Sequence, residues 1–256
     1  MTYHIMNLPC SIGQPHKGVA ISKPQIAALF TNNPDIEHIP APWFSEQPSK
    51  VLLKCIESQR KHERTIFFGG DHYASFFTVL SSLAVYGDSF RLIWLDAHGD
   101  IHNMRTSPSG NRHGMPVRFL MEHTLPGIPR LKPNQLMYIG LRDLEREEWA
   151  YIHRRKIRYM CAGEIKWSAI EKFVNGHIVH ISLDVDVLDP SVMPCTGTPV
   201  PGGLTMENLY KLYRSIDEKS RDIVAMDIME YNPTLGNQED KKTAKRTMKQ
   251  ICKMIM

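Results

Sequence analysis

Three short segments of this 256-residue chain combine acidic and imidazole side chains at spacings that could support chemistry. They are Gly69–His72, Asp96–Asp100 and Asp184–Asp186, with the sequences GGDH, DAHGD and DVD. Side chains at positions i, i+2 and i+4 of an extended segment point to the same side. We therefore expect the histidine and two aspartates of DAHGD to converge on one space, and the two aspartates of DVD to do the same.

A site that gathers DAHGD and DVD would contain four aspartates: Asp96, Asp100, Asp184 and Asp186. Carboxylates packed together away from water repel one another, at a cost of several kcal/mol, unless cations neutralise them. Carboxylate and imidazole ligands without thiolates fit Mn²⁺ or a similar ion better than a structural zinc. Carboxylates shared between two ions would hold them about 3.5–4 Å apart, the separation typical of two-metal hydrolases. The residue types thus predict a two-metal centre.

The elements that must position these segments are short apolar runs separated by longer amphipathic stretches. Five runs have the length and composition of strands: Thr65–Phe68, Arg91–Leu95, Gln135–Ile139, His177–Ser182 and Ile223–Ile228. Four stretches have helical character: Tyr73–Val85, Glu147–Arg155, Ser168–Asn175 and Met206–Ser220. The alternation predicts βαβ units, and most runs are too continuous to have one face in water. We predict one α/β domain, residues 1–256, with a mostly parallel sheet flanked by helices.

The motifs directly follow predicted strands. In an open α/β sheet, ligands bind beyond the carboxyl ends of the strands, and the first, second and fourth runs lead into GGDH, DAHGD and DVD. Two local features complete the prediction. Thr205 is a suitable N-cap for the helix that follows it, and residues 32–50, rich in proline and polar side chains, are predicted to form a loop.

Composition narrows the classes of partner and compartment. The 31 basic and 27 acidic residues give a small, scattered excess of positive charge, whereas binding to nucleic acid needs a concentrated basic face. No apolar run approaches the roughly 20 residues of a membrane span, and the first residues lack the pattern of a secretory signal. Five widely spaced cysteines without a CxxC pair indicate reduced thiols. We expect a cytoplasmic protein with a small-molecule substrate and neither nucleic acid nor membrane as partner.

Together with the segment Asp189–Leu204, the three motifs resemble the signatures of the ureohydrolase family, which includes arginase, agmatinase and formimidoylglutamase. The similarity runs from Gly13 to Pro233, nearly the whole chain. The resemblance implies the three-layer, arginase-like fold of that family and two Mn²⁺ ions per subunit. It also implies the ligands: His72, Asp96, Asp100 and Asp184 for one ion, and Asp96, His98, Asp184 and Asp186 for the other, with Asp96 and Asp184 as bridges.

Two further segments resemble arginases within the family. Ser109–Pro116 is similar to the loop that carries a proton-shuttle histidine, here His113, and Asp227–Pro233 would set Glu230 against the substrate's guanidinium. The resemblance implies that water activated by the two ions attacks the guanidinium carbon. Asp100 would accept the proton of this water and pass it to the leaving amine. The implied reaction is the hydrolysis of L-arginine to L-ornithine and urea.

The segment Gly140–Asp143 resembles the part of arginases that recognises the amino-acid end of the substrate. The resemblance implies substrate contacts from His102, Asn103, Ser109, Asp143, Glu145, Glu148, Thr198 and Glu230. His102 stands where arginases have an asparagine, and Glu145 stands where they have an aspartate. These departures leave open another ureohydrolase activity, on agmatine, a guanidino acid or formiminoglutamate. A regulatory subunit that binds metal without catalysis is a further alternative, which the complete ligand set disfavours. Homotrimers are expected from the family.

Overall fold

The computed structural model describes residues 3–31, 34–123 and 125–256, and these residues contain one sheet of parallel strands. The strands are β1 (Tyr3–Leu8), β2 (Ile36–His38), β3 (Arg64–Gly69), β4 (Phe90–Leu95), β5 (Leu136–Leu141), β6 (Arg158–Cys161), β7 (Ile178–Asp184) and β8 (Asp222–Met229). Their order across the sheet is β2-β1-β3-β8-β7-β4-β5-β6, and every neighbouring pair is parallel. The predicted parallel sheet is confirmed.

Helices cover both faces of the sheet. They are α1 (Lys23–Ala27), α2 (Trp43–Glu46), α3 (Pro48–Lys61), α4 (Ala74–Tyr86), α5 (Pro116–Glu122), α6 (Arg146–Arg155), α7 (Trp167–Val174), α8 (Met206–Lys219) and α9 (Gln238–Ile255). Neighbouring residues of one strand point to opposite faces, so Phe68 packs with α1, α7, α8 and α9, whereas Phe67 lies on the face covered by α3 and α4. The three-layer α/β fold is therefore confirmed. None of the helices in the described residues is long and apolar enough to cross a membrane.

Strand β7 shows why the apolar runs of the sequence are so continuous. All seven of its residues are buried, as expected for a central strand between two helical layers. Two of them, His180 and Ser182, are polar and 0% exposed. Because buried polar groups need hydrogen-bond partners, these two side chains must be satisfied inside the protein.

The predicted strands and helices form with their ends within two residues of the expected positions. The N-cap is confirmed as well, since Thr205 Oγ1 accepts a hydrogen bond from the backbone N–H of Asn208 at 3.1 Å. The loop predicted for residues 32–50 is wrong from residue 36 onward, because β2, α2 and the start of α3 lie there. Residues 32 and 33 lie outside the described part of the chain.

The loop prediction failed because proline can begin a helix and because a short strand can be stabilised by pairing with its neighbour. Pro48 is the first residue of α3, a position whose backbone N–H has no partner within the helix, so the ring costs nothing there. Ile36 pairs with Ile5 of β1 and is 1% exposed, which anchors a strand of only three residues. One of the prolines that suggested a loop, Pro48, therefore marks the start of a helix.

Gly70 lies where the end of β3 approaches the end of β1. The backbone N–H of Asp71 donates to the carbonyl oxygen of Cys10 at 3.0 Å. A Cβ atom on Gly70 would overlap that same carbonyl group. The second glycine of the GGDH motif thus allows the segments after β1 and β3 to approach each other closely, two residues before His72.

We predict that Gly70→Ala lowers the free energy of unfolding by roughly 1–3 kcal/mol, the usual cost of forcing extra atoms into a packed interior. The methyl group would displace the backbone of Cys10. Gly163→Ala is the matched control, because a Cβ atom there meets nothing within 4 Å. The control should change the free energy of unfolding by less than about 1 kcal/mol. Urea denaturation measures both variants, and equal values for the two would contradict the close approach at Gly70.

Candidate metal centre

Four adjacent strands end at the candidate site. β3, β8, β7 and β4 are neighbours in the sheet, and because they are parallel their carboxyl ends lie at one edge. His72 lies in the turn after β3, and the DAHGD motif follows β4. Asp184 is the last residue of β7, and Glu230 follows β8. Strand order thus brings together motifs that are far apart in the sequence.

The first group of potential metal ligands surrounds the imidazole of His72. Its Nδ1 atom lies 2.9 Å from Asp100 Oδ2, 3.1 Å from Asp96 Oδ2 and 3.2 Å from Asp184 Oδ2. His72 is 1% exposed and Asp96 0%. The donor atoms of His72, Asp96 and Asp100 all lie within 4.8 Å of one another, close enough to coordinate one ion.

The second group surrounds the imidazole of His98. Its Nδ1 atom lies 3.0 Å from Asp186 Oδ2 and 3.4 Å from Asp96 Oδ1. These three residues also present donor atoms within 4.8 Å of one another. Asp96 therefore belongs to both groups, with one oxygen towards each imidazole. Asp184 contacts the first group, and its predicted share in the second stays a prediction.

The carboxylates of the centre raise the pKa of neighbouring imidazoles and of one another, except that the imidazoles of His72 and His98 hold the pKa of Asp96 below its usual value. Burial and the neighbouring Asp96 raise the pKa of Asp100 to about 7, and burial with Asp186 and Asp96 raises the pKa of Asp184 well above its usual value. Burial opposes the charged form of His98, but Asp186 and Asp96 outweigh it and raise the pKa of His98 to about 12. A divalent cation bound among these groups would supply the positive charge that the protons provide.

The donor atoms fit divalent cations. His72 Nδ1 and Asp100 Oδ2 are buried and lie 2.9 Å apart, yet neither makes a hydrogen bond. Buried polar atoms without a partner are costly, and an ion between them would satisfy both. The two groups consist of carboxylates and imidazoles without a thiolate, a set that suits Mn²⁺ and similar ions.

The indole ring of Trp94 contacts two of the predicted ligands, one through its face and the other through its ring nitrogen. The ring stacks on the imidazole of His72 with the centroids 4.2 Å apart, and its Nε1–H donates to Asp96 Oδ2 at 2.9 Å. Trp94 precedes Asp96 by two residues and therefore shares its side of the chain. One side chain thus orients an imidazole and a carboxylate together.

The loop after β7 is fixed by two further side chains. Arg142 donates from Nη2 to the carbonyl oxygen of Asp186 at 2.7 Å and to that of Val200 at 2.8 Å. Thr198, predicted to contact the substrate, lines the cavity described below and donates from Oγ1 to Asp186 Oδ2 at 3.1 Å. Both contacts restrain Asp186, one through its backbone and the other through its carboxylate.

Glu230 and His113, the other predicted catalytic residues, lie side by side. Glu230 Oε1 accepts from the backbone N–H of His72 at 2.8 Å, and Oε2 accepts from Gln14 Nε2 at 2.5 Å. His113 Nδ1 lies 3.4 Å from Glu230 Oε1. Burial lowers the pKa of His113, but the Glu230 carboxylate outweighs it, and the pKa of His113 is raised. The carboxylate is thus held next to a metal ligand on one side and an imidazole on the other.

A cavity of about 160 Å³ extends outward from the metal ligands. Asp143, Glu145, Glu148 and His102 line its outer part. The Nε2 atom of His102 lies 3.3 Å from Glu145 Oε2 and 3.6 Å from Glu148 Oε2. Neither lysine nor arginine occurs among the described residues that line the cavity. Its outer part therefore favours a positively charged group.

Asn103 and Ser109, two predicted substrate contacts, are engaged in local turns outside the described lining of this cavity. Asn103 Oδ1 accepts from the backbone N–H groups of Arg105 at 2.9 Å and Thr106 at 3.1 Å. Ser109 is exposed, and its Oγ accepts from the backbone N–H of Asn111 at 3.2 Å. Their contact with the substrate stays a prediction.

Two residues of the site were missed by sequence reasoning. Gln14 reaches Glu230 across 216 positions of the chain, a contact that no local spacing reveals. Trp94 could have been found, because it lies two residues before Asp96 on an extended segment and so shares its side. The two cases differ in the sequence separation of the contacting residues. Strand periodicity indicates which residues of one strand share a side, but it gives no information on partners from a distant loop.

Comparisons with known proteins agree on one family. The arginase family model matches residues 23–256. An arginase of Schizosaccharomyces pombe (strain 972 / ATCC 24843) is 34% identical over 93% of this chain and 87% of that protein. The crystal structure of arginase from Bacillus subtilis matches with a TM-score of 0.81 and 27% identity over 98% of both chains. A formimidoylglutamase of Bacillus subtilis subsp. subtilis str. 168 shares the fold, with a TM-score of 0.80 and 18% identity over 98% of this chain and 85% of that one.

The shared position of Asp96 predicts different metal contents for two variants. Asp96→Ala removes a donor from both groups and should leave the protein without tightly bound Mn²⁺. Asp186→Ala removes a donor from the second group alone and should leave one ion per chain. Glu145→Gln, whose carboxylate contacts His102 and none of the six predicted ligands, is the control and should bind as many ions as the wild type. Equilibrium dialysis followed by metal analysis measures all three, and two retained ions in Asp96→Ala would refute the shared ligand.

Proposed function

The chain belongs to the arginase family and is a hydrolase that acts on a guanidino group, and from this premise we propose that it uses two Mn²⁺ ions to convert L-arginine and water into L-ornithine and urea. The observation that carries the proposal is the contact of one carboxylate with two imidazoles. Asp96 Oδ2 lies 3.1 Å from His72 Nδ1, and Asp96 Oδ1 lies 3.4 Å from His98 Nδ1. A bridged pair of divalent ions needs a ligand in that position.

Asp100 is the proposed carrier of the proton that the reaction transfers. Divalent ions at these ligands would supply a water molecule whose pKa is lowered to near neutrality. Asp100 lines the cavity, and an ion held by one oxygen of its carboxylate would leave the other oxygen free to accept a proton from the attacking water. The same oxygen can then give that proton to the nitrogen that leaves, in the manner of a general base that becomes a general acid.

Glu230 is the proposed binding partner of the guanidinium. Gln14 and the backbone of His72 occupy one acceptor position on each of its oxygens. An ionised carboxylate offers about four such positions, so one remains on each oxygen for the N–H groups of a guanidinium, the one on Oε1 beside His113. Charge-assisted hydrogen bonds to a planar cation fix its orientation and thereby the position of its carbon.

His113 is the proposed exchange point between the site and solvent. Its imidazole contacts Glu230 on one side and lines the cavity on the other, with 23% of the side chain exposed. An imidazole titrates close to neutral pH and can carry protons in either direction. His113 would therefore return the protein to its starting protonation state after each turnover.

The outer part of the cavity is the proposed recognition site for the rest of the substrate. Asp143, Glu145 and Glu148 would attract the α-ammonium of arginine, and His102 holds the last two carboxylates in place. Asn103, Ser109 and Thr198 are the predicted polar contacts for the amino-acid end. This end of the site differs from the arginase pattern at His102 and Glu145.

A second candidate is hydrolysis of a guanidino compound that carries an amine but no carboxylate, such as agmatine. The observation in its favour is the surplus of carboxylates over cations in the outer cavity. Three carboxylates attract an ammonium group and repel a carboxylate at the same distance. The proposal of L-arginine rests on the arginase-like loop Ser109–Pro116, which offers hydroxyl and amide groups to a carboxylate.

The compartment and the oligomeric state of the protein are also part of the proposal. All five cysteines are free, which favours a reducing compartment, and we propose the cytoplasm. A homotrimer is the assembly that the family resemblance predicts.

Urea release by the Mn²⁺-loaded protein tests the proposal. We expect turnover of L-arginine and a kcat/KM for agmatine at least about 100-fold lower, because a polar site built for the α-carboxylate would be left unpaired. The reverse preference would support the second candidate.

Glu230→Gln should abolish urea release, while Glu239→Gln, on the exposed surface of α9, is the matched control and should retain it. Failure to release urea from either compound would refute the proposed reaction.

A further inference from the structure

A chain of buried polar side chains leads from His72 away from the cavity into the interior. His72 Nε2, the ring nitrogen opposite the metal-facing Nδ1, lies 3.0 Å from Ser182 Oγ. Ser182 Oγ donates to Asp227 Oδ2 at 3.0 Å. Asp227 Oδ1 lies 2.9 Å from His180 Nε2. Ser182, Asp227 and His180 are all 0% exposed.

The positions of these residues follow from strand register. Ser182 of β7 is paired with Asp227 of the neighbouring β8, so the two side chains lie on the same face of the sheet. His180 precedes Ser182 by two residues and shares that face. Helix α4 covers this part of the sheet and adds Thr78, whose Oγ1 donates to Asp227 Oδ2 at 2.8 Å. Two hydroxyl donors and the imidazole of His180 thus converge on one carboxylate.

The direction of each hydrogen bond follows from the carboxylate. Asp227 Oδ2 accepts from Ser182 Oγ, so the single hydroxyl hydrogen of Ser182 points at this carboxylate. Ser182 Oγ then has only lone pairs for its other neighbours, Ser75 Oγ at 3.0 Å and His72 Nε2 at 3.0 Å. His72 must therefore donate from Nε2. In a neutral imidazole this leaves Nδ1 as the lone-pair nitrogen, and Nδ1 is the atom that faces Asp96, Asp100 and Asp184.

We propose that Ser182 and Asp227 are positioning residues that hold His72 in the tautomer able to bind a metal ion through Nδ1. The inference rests on the two-ion centre of the proposed function. Metal-bound histidines are commonly oriented by a carboxylate or carbonyl at the other ring nitrogen, and loss of such a partner weakens metal binding about 10- to 100-fold. Here a serine transmits the effect of the carboxylate, and Asp227 is itself fixed by His180 and Thr78.

The variant Ser182→Ala tests the relay directly. It leaves the Nε2–H group of His72 without an acceptor, and we expect the dissociation constant for Mn²⁺ to rise about 10- to 100-fold. Ser81→Ala is the matched control, since Ser81 is a serine of α4 that is also 0% exposed and hydrogen-bonded to Gln59 and to the Thr78 carbonyl. Both variants lose one buried hydroxyl, so the Tm of the metal-free proteins should fall by similar amounts. Only Ser182→Ala should lose affinity for Mn²⁺.

The variant Asp227→Asn tests the direction of the relay. Its amide can donate to Ser182 Oγ, so the serine hydroxyl is free to donate to His72 Nε2 and to favour the tautomer with the proton on Nδ1. We therefore expect a loss of Mn²⁺ affinity at least as large as in Ser182→Ala, although the side chain keeps its shape. Ser182→Ala carries the test if Asp227→Asn does not fold.

Isothermal titration of Mn²⁺ into the metal-free proteins, together with their Tm values, distinguishes the outcomes. Two ions bound by the wild type and by Ser81→Ala, with weakened binding in Ser182→Ala, support the relay. Equal affinities in Ser182→Ala and the wild type would overturn the relay and leave the two-ion centre intact. A wild-type protein that binds no Mn²⁺ would overturn both.

Discussion

Four buried aspartates at one edge of the sheet are the constraint on which the rest of the structure depends. Asp96, Asp100, Asp184 and Asp186 are between 0% and 7% exposed. In the described residues, the only basic side chains in ion pairs with them are the imidazoles of His72 and His98. Buried carboxylates without sufficient positive charge destabilise a fold, and the proposed divalent ions would complete this arrangement in both charge and coordination.

The backbone around these carboxylates adopts conformations that are costly in isolation. Asp100 has φ of 48° and Glu230 has φ of 64°, in the left-handed region that non-glycine residues seldom occupy. Such conformations cost of order 1–3 kcal/mol each and persist only where the surroundings determine them. Here the surroundings are the ends of four adjacent strands and the buried side chains behind them. The packed interior of the protein therefore determines the backbone conformation of the site.

The convergence of the six predicted ligands could be foreseen because its signal is local. The spacing of DAHGD and DVD and their place after apolar runs depend only on strand periodicity, and the structure brings the six side chains together. Strands β1, β2 and β6 and helices α1, α2, α3, α5 and α9 were not predicted. Strands β1 and β2 depend on pairing across the sheet. The amphipathic pattern of helix α9, with Asn237 as its N-cap, could have been recognised in the sequence.

The functional contacts that could not be predicted join distant parts of the chain. Ser182 and Asp227 are 45 residues apart, and their link to His72 depends on the pairing of β7 with β8, which no single segment encodes. The outer part of the cavity also depends on contacts between distant segments, since His102 meets Glu145 only because two loops converge. Motifs therefore predict the chemistry of the site, while specificity and support depend on tertiary structure.

Anomalous diffraction from crystals grown with Mn²⁺ tests the central claim most directly. Our account predicts two anomalous peaks about 3.5–4 Å apart on either side of the Asp96 carboxylate, one beside His72 and the other beside His98. A single peak, or two peaks that share no carboxylate, would contradict it.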